Sequence, residues 1–299
     1  MRSLLALAAI VAAVVALSVV MAAPPPGPAT PPPPPPIPPV PPPPPPPPPK
    51  EKTVHVVVTP ANFTKIFSVV HAPGATLYVL KPEYSSAVIV MEPGVYKVLD
   101  KARTYIVFEG ESISVVAKRA AIVTNVLASV DAKLVIKGLG IAVEALVAYA
   151  HPHKASTIVL KECALKALKK GSLVIEPYAE DAALTAITAI KTKISSPIKA
   201  LIVAKTPPAT SSVTLVNSPV KGGITAIGFG PGTSELKLSK CGVAGPIHAK
   251  TLTLLALNHV AATSLNAVSV GVVSVSYVAI APNIASKVSS ASSIVISSS

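Results

Sequence analysis

"KLVIKG" (133–138), "STIVLKEC" (156–163), "SVTLVNS" (212–218) and "ELKLSKC" (235–241) share one pattern: alternating apolar residues that end in a polar pair. In an extended strand successive side chains face opposite sides, so Ile136, Leu160, Leu215 and Leu238 stand at one phase with Val116. The offsets along that series are 20, 24, 55 and 23 residues, the 55 being about two periods plus an insertion. A drifting period of 20–25 residues with several short strands in each is the signature of a parallel β-solenoid. A sandwich also has short strands, but it has less reason for a period.

The composition agrees. Val, Ile, Ala, Leu, Ser and Thr dominate a chain of 299 residues with 13% charged residues and no Trp, and β-branched side chains fit a pleated, half-buried surface. One helix is expected near the start of the domain. Thr59 reads as its N-cap, Pro60 takes the first position, Phe63, Ile66, Phe67 and Val70 share a face, and Pro73-Gly74 stops it.

Following that segment, "HAPGATLYVLKPEYSSAVIVMEPGVYKV" (71–98) carries a Pro-Gly-x-Tyr turn, Pro93-Gly94-Val95-Tyr96. It resembles the entry to the right-handed parallel β-helices of the pectin-lyase-like superfamily, where a helix caps the first coil. The resemblance implies an all-β, right-handed parallel β-helix of about ten coils with a short N-terminal capping helix. In that geometry Cys163 and Cys241 stand about three coils apart at matching phases. At the sheet spacing that separates them by roughly 14 Å, beyond disulfide reach, so both are expected as buried free thiols.

The N-terminal part has its own logic. "MRSLLALAAIVAAVVALSVVMAA" has one positive residue, Arg2, then an apolar run closed by small residues. Residues 1–22 read as a signal peptide cleaved after Ala22, or as an uncleaved signal anchor long enough to span a bilayer. Residues 23–52 hold 21 of the 34 prolines and read as a polyproline II stalk. Residues 53–299 are the β-helix domain. The expected location is extracellular or at the cell surface, with membrane contact only through the N-terminal segment.

Net charge is +13, and of the 13 acidic residues only Glu235 follows Asp181. Nine lysines follow residue 182. Such an excess attracts anionic partners: an acidic polysaccharide or an envelope component. Nucleic acid is not expected, because arginine is scarce and no reading motif is present. Lysines alternating with apolar residues face outward on strands, so Lys161, Lys166, Lys191, Lys193, Lys237 and Lys240 are expected to stack into a basic stripe. Asn62-Phe63-Thr64 is a glycosylation sequon.

The superfamily's catalytic patterns of clustered carboxylates are absent. The chain has three aspartates, Asp100, Asp131 and Asp181. Glu180-Asp181 point apart if extended, Glu109 and Glu111 read as a solvated edge, and His151-Pro152-His153 reads as a loop. "GFGPGTS" (228–234) lacks the helix start of a phosphate loop. No catalytic residue, metal site or cofactor is therefore expected. The sequence favours an exported β-helix that acts by binding or self-association over a polysaccharide-modifying enzyme with an unusual site.

Overall fold

The computed structural model describes residues 54–99, 103–280, 287–289 and 293–297, all within one compact unit, Thr53–Ser299. The expected segments 1–22 and 23–52 lie outside the described residues. The chain is all-β. Parallel strands stack in three series and curl around one apolar interior, an arrangement compatible with a parallel β-helix.

The first series begins at His55–Val58 and Val88–Met91 and runs through Ala155–Lys161, Leu184–Ile190 and Thr210–Val216 to Ser293–Ser297. The second runs from Ala75–Leu80 and Arg103–Glu109 through Leu173–Ala179 and Ile198–Ala204 to Lys287–Ser289. The third, narrower, contains Gly94–Val98, Ala164–Ala167 and Lys193–Ile194, continued by the isolated bridges Ile194 to Val220 and Val220 to Val243. Ser112–Val130 and Lys133–Ala150 are long enough to contribute to all three.

A column of apolar side chains holds the first series together. Ile89, Val115, Ile136, Leu160, Ala189, Leu215, Leu238 and Leu257 are partners on successive rungs, and all are buried. Four of the five residues aligned in the sequence sit in this column. Val116 does not: its neighbour Val115 holds the place, and Val116 faces outward and is exposed. The spacing on this rung is 21 residues rather than 20, Val115 pairing with Ile136 and Val116 with Lys137, and an alignment one residue off exchanges the two faces.

The first corner, between the first and third series, is built the same way on rung after rung. Arg119, Glu162, Lys191, Asn217, Lys240 and His259 all have φ between 48° and 60°, a left-handed conformation that is costly for a residue with a Cβ. At Gly138 the same role is filled with φ 75°, and there a Cβ would lie 2.4 Å from the Ala117 carbonyl oxygen. Inside the corner follows a buried ladder of small polar residues: Cys163, Thr192, Ser218 and Cys241. The Ser218 hydroxyl lies 2.9 Å from the Val216 carbonyl and 3.1 Å from that of Ala189, and it accepts the Thr192 N–H at 3.1 Å. The thiols of Cys163 and Cys241 reach equivalent carbonyls at 3.2–3.4 Å. Both cysteines are buried and free, and burial pushes their thiols up from the usual range.

Ser218→Ala therefore strands a buried N–H and is expected to cost about 1–3 kcal/mol, read from the denaturant midpoint of the full chain. Ser218→Cys, the residue used at two other rungs, should cost less than the alanine. Equal losses would show that the ladder's hydrogen bonds carry no stability.

The capping helix is corrected. Only Phe63–Ile66 is helical, as a single 3-10 turn, and Phe67–Ala72 is a strand paired antiparallel with Ala75–Leu80 across Pro73-Gly74. The apolar spacing misled because one tight turn followed by a strand also sends Phe63, Ile66 and Phe67 inward. "FSVV" then follows its β-branched preference.

Candidate functional site

Two places on the stacked parallel strands gather chemistry. The first is the outer surface of the third series with the adjoining corner. Ala164, Lys193, Pro219, Gly242 and Ala261 succeed one another in one outward column. The small members leave a shallow cavity of about 550 Å³, bordered by Lys193 and Lys221 and floored by Pro219, Gly242, Ala244 and Ala261. Lys166 and Lys221 rise in the neighbouring column, and Lys191 and Lys240 stand on the corner. All five lysines are exposed, and among the described residues none lies within ion-pair distance of a carboxylate.

The six lysines read from the sequence thus divide. Lys166 and Lys193 lie on the third face, Lys191 and Lys240 on its corner, and Lys161 at the edge of the first series beside that corner, opposite Lys137. Lys237 stands apart, mid-strand in the first series, held 2.6 Å from Glu235. Lys221 belongs with the group although the sequence reading passed over it. It follows a bridge of one residue rather than a recognisable strand, so no alternation marked it. Asn62 is half-buried, and its side-chain oxygen accepts the Thr59 N–H at 2.7 Å.

The second place is at the ends of the second-series strands. Asp131, in a left-handed turn with φ 45°, accepts the His151 N–H at 2.9 Å and lies 2.7 Å from His151 Nδ1. The His151 ring meets Tyr149 edge-on with centroids 4.9 Å apart, and Tyr149 stacks on Tyr178 of the next rung at 5.4 Å. Glu180 reaches Lys205 at 3.6 Å. Burial first, and then the charge of Asp131, push the Glu109 carboxyl up. Burial first, and then Glu180, push the Tyr149 hydroxyl up.

In the sequence these residues look like parts of separate loops and edges, yet they carry a signal. Glu109, Asp131, His151, Glu180 and Lys205 recur at 22, 20, 29 and 25 residues, which is the coil period itself. A periodic array of charged residues means neighbours in a solenoid, not a solvated edge. Among the described residues, no group of three or more His, Cys, Asp or Glu side chains is arranged to hold a metal ion.

Glu176 lies opposite Val147, on the same face as Tyr178. It is 6% exposed, and one carboxylate oxygen has no partner. Burial pushes it up to about 7 from 4.5. A raised folded-state pKa means that the unfolded chain ionises first as pH rises. Stability is therefore lost between about pH 4.5 and 7 and stays low above that window. Glu176→Gln removes the penalty. The expected gain for the full chain is about 3 kcal/mol at pH 8 and close to nothing at pH 4, measured by denaturation at both pH values. A gain that does not depend on pH would refute the cause given.

Among the described residues no helix is long and apolar enough to cross a membrane. The chain matches no protein-family model, no curated protein and no solved structure.

Proposed function

We propose that this chain is an exported, right-handed parallel β-helix of the pectin-lyase-like kind, with about ten coils, that binds an acidic polysaccharide or envelope component. The handedness rests on the strong preference of parallel crossovers for a right-handed path. The observation that carries the function is the third face, where exposed lysines without carboxylate partners border a concave floor of small residues. Small residues let a polymer approach the backbone, and unpaired ammonium groups attract it over distance. The proline-rich composition of residues 23–52, which lie outside the described residues, suits a spacer between an export signal and the domain. The same small-residue face also suits lateral packing of copies, the structural form of this reading.

A second reading, a polysaccharide-modifying enzyme, is favoured by one observation. Asp131, His151, Glu180 and the elevated Glu109 sit together beside two stacked tyrosines, and acid–base chemistry needs paired groups with separated proton affinities.

One experiment separates the two. The full chain is incubated with acidic and neutral polysaccharides, and retention and new chain ends are scored together. Binding predicts retention on acidic polymers that salt weakens, with no new ends. New ends from any polymer would replace the binding reading with the enzyme. Retention equal on neutral and acidic polymers would remove the lysines from the account.

A further inference from the structure

The lysines bordering the third face alternate from side to side. On one border Lys166, Ser195 and Lys221 occupy one column on three successive rungs: the Ser195 N–H bonds to the Leu165 carbonyl and the Lys221 N–H to that of Ile194, each at 2.8 Å. On the other, the corner positions Lys191, Asn217 and Lys240 succeed one another. There the Lys191 N–H bonds to the Val216 carbonyl and the Asn217 N–H to that of Ser239, each at 2.9 Å.

Lys191 and Ser195 belong to one rung, and Asn217 and Lys221 to the next. Along the two borders positive charge therefore alternates, Lys166, Lys191, Lys221, Lys240, with Lys193 between the borders on the rung of Lys191, and with Glu162, 3.7 Å from Lys137, at the corner opposite Lys166. Opposite Lys191 stands Ser195, and opposite Lys221 stands Asn217, both neutral and able to hydrogen-bond to hydroxyl groups. Rungs are about 4.8 Å apart, so lysines on one border recur about every 10 Å.

A flat β-1,4-linked sugar ribbon has the matching symmetry. Each unit is turned half a revolution from its neighbour and advances the chain by close to one rung. If every unit carries a carboxylate, the charges emerge on alternate edges, one per rung. An α-1,4-linked polygalacturonate coils and sends its carboxylates around the chain axis. A polymer with one carboxylate per disaccharide presents charge on one edge only.

Resting on the binding reading above, we infer that the third face takes a flat β-1,4-linked polyuronate laid parallel to the solenoid axis. Its carboxylates pair alternately with the two lysine borders, and its hydroxyls meet Ser195 and Asn217.

The test titrates the full chain at low salt with β-1,4-glucuronate oligomers of two to six units. Oligogalacturonates of equal charge, hyaluronan oligomers and neutral cello-oligomers are run beside them. Glucuronate affinity is expected to climb steeply to the tetramer, which spans the four lysines, and to flatten after it. The tetramer should bind roughly thirtyfold more tightly than its galacturonate counterpart, as for two ion pairs gained at the upper end of the exposed range. The pairs K166Q/K221Q and K191Q/K240Q should each weaken it by a similar factor. K199Q/K250Q, in exposed lysines of the second series, should not.

Equal affinity for glucuronate and galacturonate at equal charge, or hyaluronan binding as tightly as glucuronate, overturns the geometric match and leaves acidic-glycan binding standing. Absence of binding by every anionic oligomer overturns both.

Discussion

Tyr96→Ala is expected to destabilise the full chain by about 3–5 kcal/mol, the largest loss from any single substitution considered. Tyr96 is 1% exposed. Its hydroxyl lies 2.7 Å from the Val58 carbonyl and 2.9 Å from that of Glu92, tying two early strands together. Its ring meets Phe63 edge-on at 5.1 Å, Phe63 meets Phe67 at 5.1 Å, and Phe67 meets Phe108 at 5.7 Å. This aromatic nest fills the interior where the first rungs would otherwise open to water. Gly94 lets the turn before it close, because a Cβ there would meet Pro60 at 2.7 Å. Tyr96→Phe keeps the nest and loses only the hydroxyl. Its cost should be about 1 kcal/mol, since Val58 still accepts the Glu92 N–H at 2.9 Å. In a solenoid each rung rests on its neighbours, so the alanine variant should fray from this end. Hydrogen exchange should accelerate in Ala75–Leu80 before it does in Thr210–Val216. Uniform acceleration along the chain, or a loss below 1 kcal/mol, would show that the nest does not hold the end.

The stacking of parallel strands was legible because the interior they enclose is a column of equivalent positions. Ile136, Leu160, Leu215 and Leu238 meet the same steric and solvent demand on different rungs, so the chain repeats the same chemistry at the coil period. The alignment failed by one residue at its first member, since 21 residues, not 20, separate the partner of Ile136 from it. Ser114-Val115-Val116 offers two adjacent apolar residues, and only the pairing of Val115 with Ile136 tells which of them faces inward. The entry segment misled for another reason. Phe63, Ile66 and Phe67 satisfy helical spacing, but pairing Phe67–Ala72 with Ala75–Leu80 satisfies more backbone groups than a lone short helix would.

The sites were harder to read because outward positions obey no packing demand. The buried ladder of Cys163, Thr192, Ser218 and Cys241 shows the contrast. Its members differ in type but share size and hydrogen-bonding capacity, so matched contexts identified the two cysteines while Thr192 and Ser218 passed unnoticed. Among the lysines, Lys237 looked like its neighbours in sequence but is held by Glu235 two residues away on the same strand face. Lys221 looked isolated but lies one rung beyond Lys193. What decides membership is the order of rungs, and only the register supplies it.

Reversing Lys166, Lys191, Lys221 and Lys240 to glutamate is expected to weaken binding to an acidic polysaccharide by a thousandfold or more at low salt. That is about 4 kcal/mol, or close to 1 kcal/mol for each ion pair converted to a repulsion. These side chains are exposed and have no carboxylate partner among the described residues, so the fold should change little; surface substitutions of this kind usually shift stability by less than about 0.5 kcal/mol each. Two measurements make the result specific. Wild-type affinity should fall steeply with added salt while the variant's residual binding should hold or rise, because screening weakens the attraction in the first and the repulsion in the second. The same reversal at Lys199, Lys205, Lys237 and Lys250 changes net charge identically but touches the second face and the already paired lysines. If overall charge alone drew the polymer, the two variants would lose affinity alike. If the third face holds it, the second variant should retain most of its binding, and the unequal loss would locate the polymer on the face where the lysines alternate.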